Sequence, residues 1–337
     1  MKRKVIQIAD STQLISLPRD WAKKYNIKKG DELELDVKGN RLEICTEKDI
    51  QLEKISLDIS GLDRTSIIYY IRSAYRRGYD LIEIKFDNDF TKHFRTGEEE
   101  KVITIIHEEI NRLVGVEIIQ QKEKFCVVKD ISNASFKDFD TVLRRIFLLF
   151  LDAANDLFNG MKTANKALVE SIEEKHNSIT KFISYALRLL NKGGFSDQHR
   201  NSLLYTIIVM LDKITDILKY AGRDFLGNKI KLSKESGEIL DYVYVNFQTY
   251  YEIFYKYDAK KTYELYSNRD KTIRKIKAFN EKISKDELTL LCDLRQSLEY
   301  ITGITETRLS LLFWLNYFQM FYIDFVNLLI FSSISDG

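Results

Sequence analysis

A chain of 337 residues with a single proline has almost nothing in it to interrupt a helix. Proline lacks the backbone N–H and clashes with the preceding turn, so its position is informative wherever it occurs. Here it is Pro18. It follows Leu14-Ile15-Ser16-Leu17, which it pushes toward an extended conformation, and it precedes Arg19-Asp20-Trp21-Ala22-Lys23-Lys24-Tyr25, where it suits a first helical turn. Asn26 and Gly30 bracket the exit, where left-handed residues are expected. Glu32–Lys38 then alternates with period two, Gly39-Asn40 forms a hairpin turn pair, and Arg41–Cys45 alternates again. Leu33, Leu35 and Val37 are expected to face Leu42 and Ile44. Residues 1–48 thus read as a small β-rich module. So short a module buries too little apolar surface alone, and an obligate homodimer is expected.

Residues 49–131 alternate strand and helix. Strands are expected at Leu52–Leu57, Leu81–Phe86, Val116–Ile119 and Lys124–Val128. Helices are expected at Leu62–Arg77 and Glu98–Leu113. Arg72, Arg76, Arg77 and Gly78 close the first helix, and Glu98-Glu99-Glu100 open the second, each complementing the helix dipole. The order suggests a small two-layer α/β segment.

From residue 132 to 337 no strand is convincing. Six helices are expected, near 137–159, 163–192, 197–222, 234–257, 259–283 and 285–333, with breaks at Gly160, Gly193-Gly194 and Gly227-Asn228. Ser284-x-x-Glu287 reads as a capping box opening the last helix. Short connections imply antiparallel neighbours, arranged as two three-helix units in tandem. A faint echo supports the duplication: Leu211-Asp212-Lys213-Ile214-Thr215-Asp216 against Leu298-Glu299-Tyr300-Ile301-Thr302-Gly303. Leu309–Ile334 is strongly apolar, but Asn316, Gln319, Asp324 and Asn327 interrupt it. It reads as a helix buried in the bundle or at a dimer interface in preference to a membrane span. The other reading is a surface that touches a membrane protein.

The net charge of +2 gives no global argument for nucleic acid. Cys45, Cys126 and Cys292 are too scattered for a disulfide framework or a zinc cluster and read as packing residues in a reducing compartment. Lys2, Arg3 and Lys4 are followed by no apolar run, so no signal peptide is expected and a cytoplasmic location follows. There is no phosphate-binding glycine loop and no nucleophile elbow. His93, His107, His176 and His199 are dispersed. No catalytic residue is nominated, and a non-enzyme is expected.

Three features could carry function. Asp212 and Asp216 stand four apart on one helix face, where like charges repel unless a cation lies between them. The bland alternative is two solvated acids flanking Lys213. Lys2, Arg3, Lys4, Arg19, Lys23 and Lys24, with Lys28 and Lys29, outnumber Asp10 and Asp20 and would attract phosphates, doubly so in a dimer. The alternative is a solvated rim on a dimerisation domain. Finally, Tyr242, Tyr244, Phe247, Tyr250, Tyr251, Phe254, Tyr255 and Tyr257 crowd one helix. Val243, Phe247, Tyr250 and Phe254 fall on one stripe, which favours packing over base stacking.

Lys4–Ile44, with Ile15-Ser16-Leu17-Pro18, Tyr25-Asn26-Ile27-Lys28-Lys29-Gly30-Asp31-Glu32 and Gly39-Asn40, resembles the AbrB/SpoVT swapped-hairpin domain. The resemblance implies an intertwined dimer that binds duplex DNA. Leu14 stands where that family often has a basic residue. Ser297-Leu298-Glu299-Tyr300-Ile301-Thr302 looks like a stretch of PhoU, the phosphate-uptake regulator built of two three-helix repeats. Arg72-Ser73-Ala74-Tyr75-Arg76-Arg77-Gly78-Tyr79-Asp80 with Ile82-Glu83-Ile84 resembles the linker of archaeal proteins that fuse the two modules. PhoU proteins carry acidic pairs that bind metal. By that resemblance Asp212, Asp216 and Glu299 would hold a divalent or ferric ion, with Glu173, Glu174 and Asp270 as companions. Gly303 replaces the usual second aspartate. The expectation is a multidomain, dimeric regulator of phosphate homeostasis acting through DNA, with the bundle as sensor or partner-binding module. The alternative is an adaptor docking on a phosphate transporter or a sensor kinase.

Overall fold

The computed structural model describes residues 3–8, 12–38, 41–46, 52–132, 136–195, 197–279 and 283–332, without the side chains of 36–38, 41, 43, 45 and 313–332. The chain forms two compact units, Met1–Glu53 and Lys54–Gly337.

In the first unit, β1 (Val5–Ile8) pairs antiparallel with β2 (Thr12–Ile15), Val5 opposite Ile15. Pro18 then caps the short helix α1 (Arg19–Lys24) from an extended conformation, as its ring dictates. Asn26 and Gly30 both take positive φ, 47° and 93°, and turn the chain toward β3 (Glu34–Lys38). β3 pairs antiparallel with β4 (Arg41–Cys45), Leu35 opposite Ile44 and Val37 opposite Leu42. The Gly39-Asn40 turn lies outside the described residues. No described residue of this unit is buried. Val5, Ile6, Ile8, Leu14, Ile15, Leu35 and Leu42 are each 45–61% exposed.

The second unit begins with an α/β layer. Its strands are β5 (Lys54–Asp58), β6 (Leu81–Lys85), β7 (Phe90–His93), β8 (Glu98–Lys101), β9 (Val116–Lys122) and β10 (Phe125–Asp130); its helices are α2 (Arg64–Arg77) and α3 (Val102–Asn111). The sheet order is β5-β6-β10-β9, with β5 and β6 parallel and the other pairs antiparallel. Ile67, Ile71 and Tyr75 of α2 and Ile105 and Ile106 of α3 pack on Ile82, Ile84, Cys126 and Val128 of the sheet. Asp63 caps α2 through the amides of Thr65 and Ser66, and Gly78 ends it at φ 110°.

One expectation fails here. Glu98-Glu99-Glu100 do not open a helix: they lie in β8, paired with β7, and α3 begins at Val102. Glutamate favours helix, but Glu100 is held in the hairpin by Arg64 at 2.8 Å and by His93 at 3.0 Å. Tertiary partners override a propensity worth tenths of a kcal/mol.

A short 3-10 turn (Phe136–Asp138) leads into α4 (Phe139–Thr163), the one-turn α5 (Lys166–Glu170), α6 (Ile172–Lys192), α7 (Gln198–Gly227), α8 (Lys234–Tyr255), α9 (Ala259–Lys277) and α10 (Lys285–Ser332). The six long helices form two three-helix units, α4-α6-α7 and α8-α9-α10. They share one core, packed chiefly along α7 against α10 and α4 against α8. The aromatic stripe of α8 is core: Val243, Phe247, Tyr250 and Phe254 are buried, and Phe147 of α4 sits 4.7 Å from Phe254.

Gly160 does not break α4. The helix runs on to Ala164, at φ 52°, and Gly160 admits α5, since a Cβ there would stand 2.9 Å from Leu168 Cβ. The expected capping box is half formed. Ser284 Oγ accepts from Glu287 N at 3.1 Å, but the Glu287 carboxylate accepts instead from the amide and hydroxyl of Ser233. That ties the start of α10 to the start of α8. Cys126 is buried, whereas Cys292, expected to pack, is exposed; the Cys45 side chain lies outside the described residues. So do the side chains of most of the apolar Leu309–Ile334 run. Among the described residues no helix is long and apolar enough to cross a membrane.

Candidate functional site

Asp212 and Asp216 lie on α7 where it faces α6 and the α/β layer. The cations that meet them come from the chain itself. Arg76, in the last turn of α2, donates from Nη2 to Asp212 Oδ2 at 3.1 Å, and from Nε and Nη2 to Ser184 Oγ of α6. Asp216 Oδ1 accepts from Lys219 at 2.7 Å and lies 2.9 Å from His176 Nε2, which is itself 3.1 Å from Lys219 Nζ. Burial pushes the Asp216 carboxyl up, but the hydrogen bonds from His176 and Lys219 and the Lys219 charge outweigh it. They hold that group well below the usual carboxylate range. Lys213 between the two acids is exposed, while the Asp212 and Asp216 side chains are 14% and 32% exposed.

The echoed stretch of α10 shares its burial with α7: Leu211, Ile214 and Thr215, and likewise Leu298, Ile301 and Thr302, are all buried. Glu299, at the Asp212 position, accepts from Arg269 of the neighbouring α9 at 2.5 Å. The equivalent acids are therefore answered differently. The second repeat supplies its own arginine, and the first borrows Arg76 from the α/β layer. Glu173 is held by Arg223 at 2.5 Å, and Asp270 by Arg269 at 2.8 Å. Asp212 and Glu299 are not brought into one cluster. Among the described residues no group of three His, Cys, Asp or Glu side chains is placed to hold a metal ion.

Around Arg76 the α/β layer is bolted to α6. Arg188 is 1% exposed; it donates to Tyr75 O at 2.8 Å, Tyr79 O at 3.0 Å and Asp130 Oδ2 at 2.6 Å. Its guanidinium lies 4.8 Å from the Tyr75 ring centre, and Tyr75 Oη donates to Val114 O at 2.8 Å. Lys192 bridges Asp80 and Asp130, and Asn191 donates to Arg76 O at 2.6 Å. Burial raises the Asp130 carboxyl, but Ser132 and Arg188 together lower it to about 2. Sequence reasoning saw Arg72 and Arg76 only as dipole complements and nominated neither His176 nor Arg188. A buried arginine in the middle of an apolar helix face was the available signal.

On the first unit Arg3, Lys4, Arg19, Lys23, Lys24, Lys28 and Lys29 are all exposed. Lys23 and Lys24 stand in the last turn of α1. Lys2 lies outside the described residues.

Residues 6–51 match the family described as antidote-toxin recognition MazE, bacterial antitoxin. No curated protein matches the chain. Among solved structures, the phosphate transport system regulatory protein PhoU from Streptococcus pneumoniae is similar over 52% of this chain and 94% of its own, at 15% identity and a TM-score of 0.43. A PhoU-like phosphate regulatory protein from Shewanella oneidensis is similar over 50% of this chain and 92% of its own, at 12% identity and a TM-score of 0.33.

Proposed function

We propose that the chain is a cytoplasmic homodimeric regulator of phosphate homeostasis that binds duplex DNA through its N-terminal unit, with the helical bundle as its sensing and partner-binding part. The observation that carries the reading is the N-terminal unit itself. It has exposed apolar strands, no buried described residue and an exposed basic set, and it matches a MazE-type module over residues 6–51. Among its described residues the unit has no core of its own, and a second copy would cover Val5, Ile6, Leu14 and Ile15. Two copies double the charge of Arg3, Lys4, Arg19, Lys23 and Lys24 on offer to phosphates. The bundle, two three-helix units with echoed Leu-acid-x-Ile-Thr turns, supports the PhoU-like half of the reading.

Arg76 occupies Asp212 Oδ2, and Lys219 and His176 share Asp216 Oδ1, so a metal ion at this pair would compete with them for those oxygens. Elemental analysis of purified protein beside an Asp212→Ala/Asp216→Ala variant tests that role; a stoichiometric metal lost in the variant supports it, and equal trace content rejects it. The DNA reading is tested by gel shift at low salt. Binding that weakens steeply with salt and on Arg19→Gln/Lys23→Gln substitution is expected. No shift at tens of micromolar protein, where non-specific binding alone would register, rejects it. Pull-down of a transporter or a sensor kinase from membranes, with no DNA binding, would favour the adaptor role instead.

A further inference from the structure

At the junction of the α/β layer with the first three-helix unit, three carboxylates each have their own cation. Glu109 takes Arg72 at 2.7 Å, Asp212 takes Arg76, and Asp216 takes Lys219. Two cations are left over. Arg112, just past the end of α3, and Lys181 of α6 are half-buried. Among the described residues neither side chain meets a carboxylate. Both line one cavity of about 20 Å³, together with Arg72, Glu109, His176, Asn177 and Thr180; Glu109 is the one carboxylate in that lining, and Arg72 engages it.

Partial burial of two unpaired like charges beside a third is unfavourable unless something negative answers them. The closed part of the cavity has room for about one water. Its occupant must therefore be small or must sit at the mouth. An arginine fork, a lysine ammonium and the Asn177 amide suit an ion that offers several acceptor oxygens in different directions. We infer that the cavity between α3 and α6 is a binding site for a small tetrahedral oxyanion, held at its mouth by Arg112 and Lys181. Arg112 belongs to the α/β layer and Lys181 to the bundle. The anion therefore bridges the two and tightens the same junction that Arg76 and Arg188 hold. This inference rests on the sensing half of the function proposed above and not on its DNA-binding half.

The test is titration of the full-length protein with inorganic phosphate, against chloride at matched ionic strength, by calorimetry and thermal unfolding. The expected result is saturable binding and a raised Tm, with binding at least about tenfold weaker in Arg112→Gln/Lys181→Gln. In the absence of phosphate that variant should melt no lower than the parent, because it loses repulsion and no ion pair. Arg112→Lys should retain part of the binding, which separates loss of the site from misfolding. An equal response to sulfate keeps the oxyanion class. No saturable binding up to about 10 mM phosphate, or undiminished binding in the double variant, overturns the inference. A gel shift with and without phosphate is read separately. DNA binding absent in both leaves the anion site standing and removes the DNA-binding reading.

Discussion

Replacing Arg188 with methionine keeps most of the volume and removes every polar contact that this side chain makes. The loss is three hydrogen bonds, to Tyr75 O, Tyr79 O and Asp130, and the stacking over Tyr75. Asp130, 5% exposed in its side chain, would keep Lys192 at 3.1 Å and the amide and hydroxyl of Ser132. Breaking a buried pair by removing one partner costs about 3–5 kcal/mol. Because Asp130 retains a cation, the expected loss is at the lower end, about 3 kcal/mol. The damage should be local. Hydrogen exchange in α2, β6 and β10 should quicken roughly 100-fold, while α8 and α9 keep their protection. In a cycle with Asp130→Asn, the two changes should couple by about 2 kcal/mol, since the neutral amide leaves less for Arg188 to satisfy. Urea unfolding followed by circular dichroism gives the energies, and exchange mass spectrometry gives the location. A loss below about 1 kcal/mol, or equal loss of protection across the bundle, would refute the claim that Arg188 holds the layer to α6.

The same junction predicts a pH dependence. The Asp130 carboxyl is depressed from 3.8 to about 2, so its stabilisation is complete above pH 4 and is lost as pH falls through 2; about 2 kcal/mol should vanish there, and not in Asp130→Asn. Arg76→Ala should cost about 1–3 kcal/mol by leaving Asp212 and Ser184 without their donor, read as a lowered urea midpoint. Gly160→Ala should destabilise by about 1–3 kcal/mol, because the new methyl meets Leu168 and Val169 at close range; an unchanged or raised Tm would contradict the α4–α5 contact. Light scattering should give a dimer mass, with Val5→Glu/Ile15→Glu reverting it to monomer or unfolding residues 3–46.

Long helices were legible because their signals are local. Apolar spacing and the glycine exits at Gly78 and Gly193 each lie within a turn of the boundary they set. The β7–β8 hairpin was not legible. Glu98–Lys101 carries helix formers, and what makes it a strand is its pairing with Phe90–His93 and the reach of Arg64 to Glu100. The candidate site divides in the same way. The spacing of Asp212 and Asp216 is visible in one turn of sequence, whereas Arg76 lies 136 residues from Asp212 and announces itself only as a helix end. His176 looked like any dispersed histidine until α6 and α7 were laid side by side.

That separation also sets an order of events on the ribosome. The α/β layer emerges before the bundle and can close over its own core, but Arg76 does not meet Asp212 until α7 has been made. At about 5–20 residues per second, the wait is on the order of ten seconds. During it Arg76 and the α2 face that will receive α6 stand open to water. Glu299 keeps no such appointment: its arginine arrives 30 residues ahead of it, on the adjoining helix. The first repeat is thus the half whose assembly depends on what was synthesised long before it.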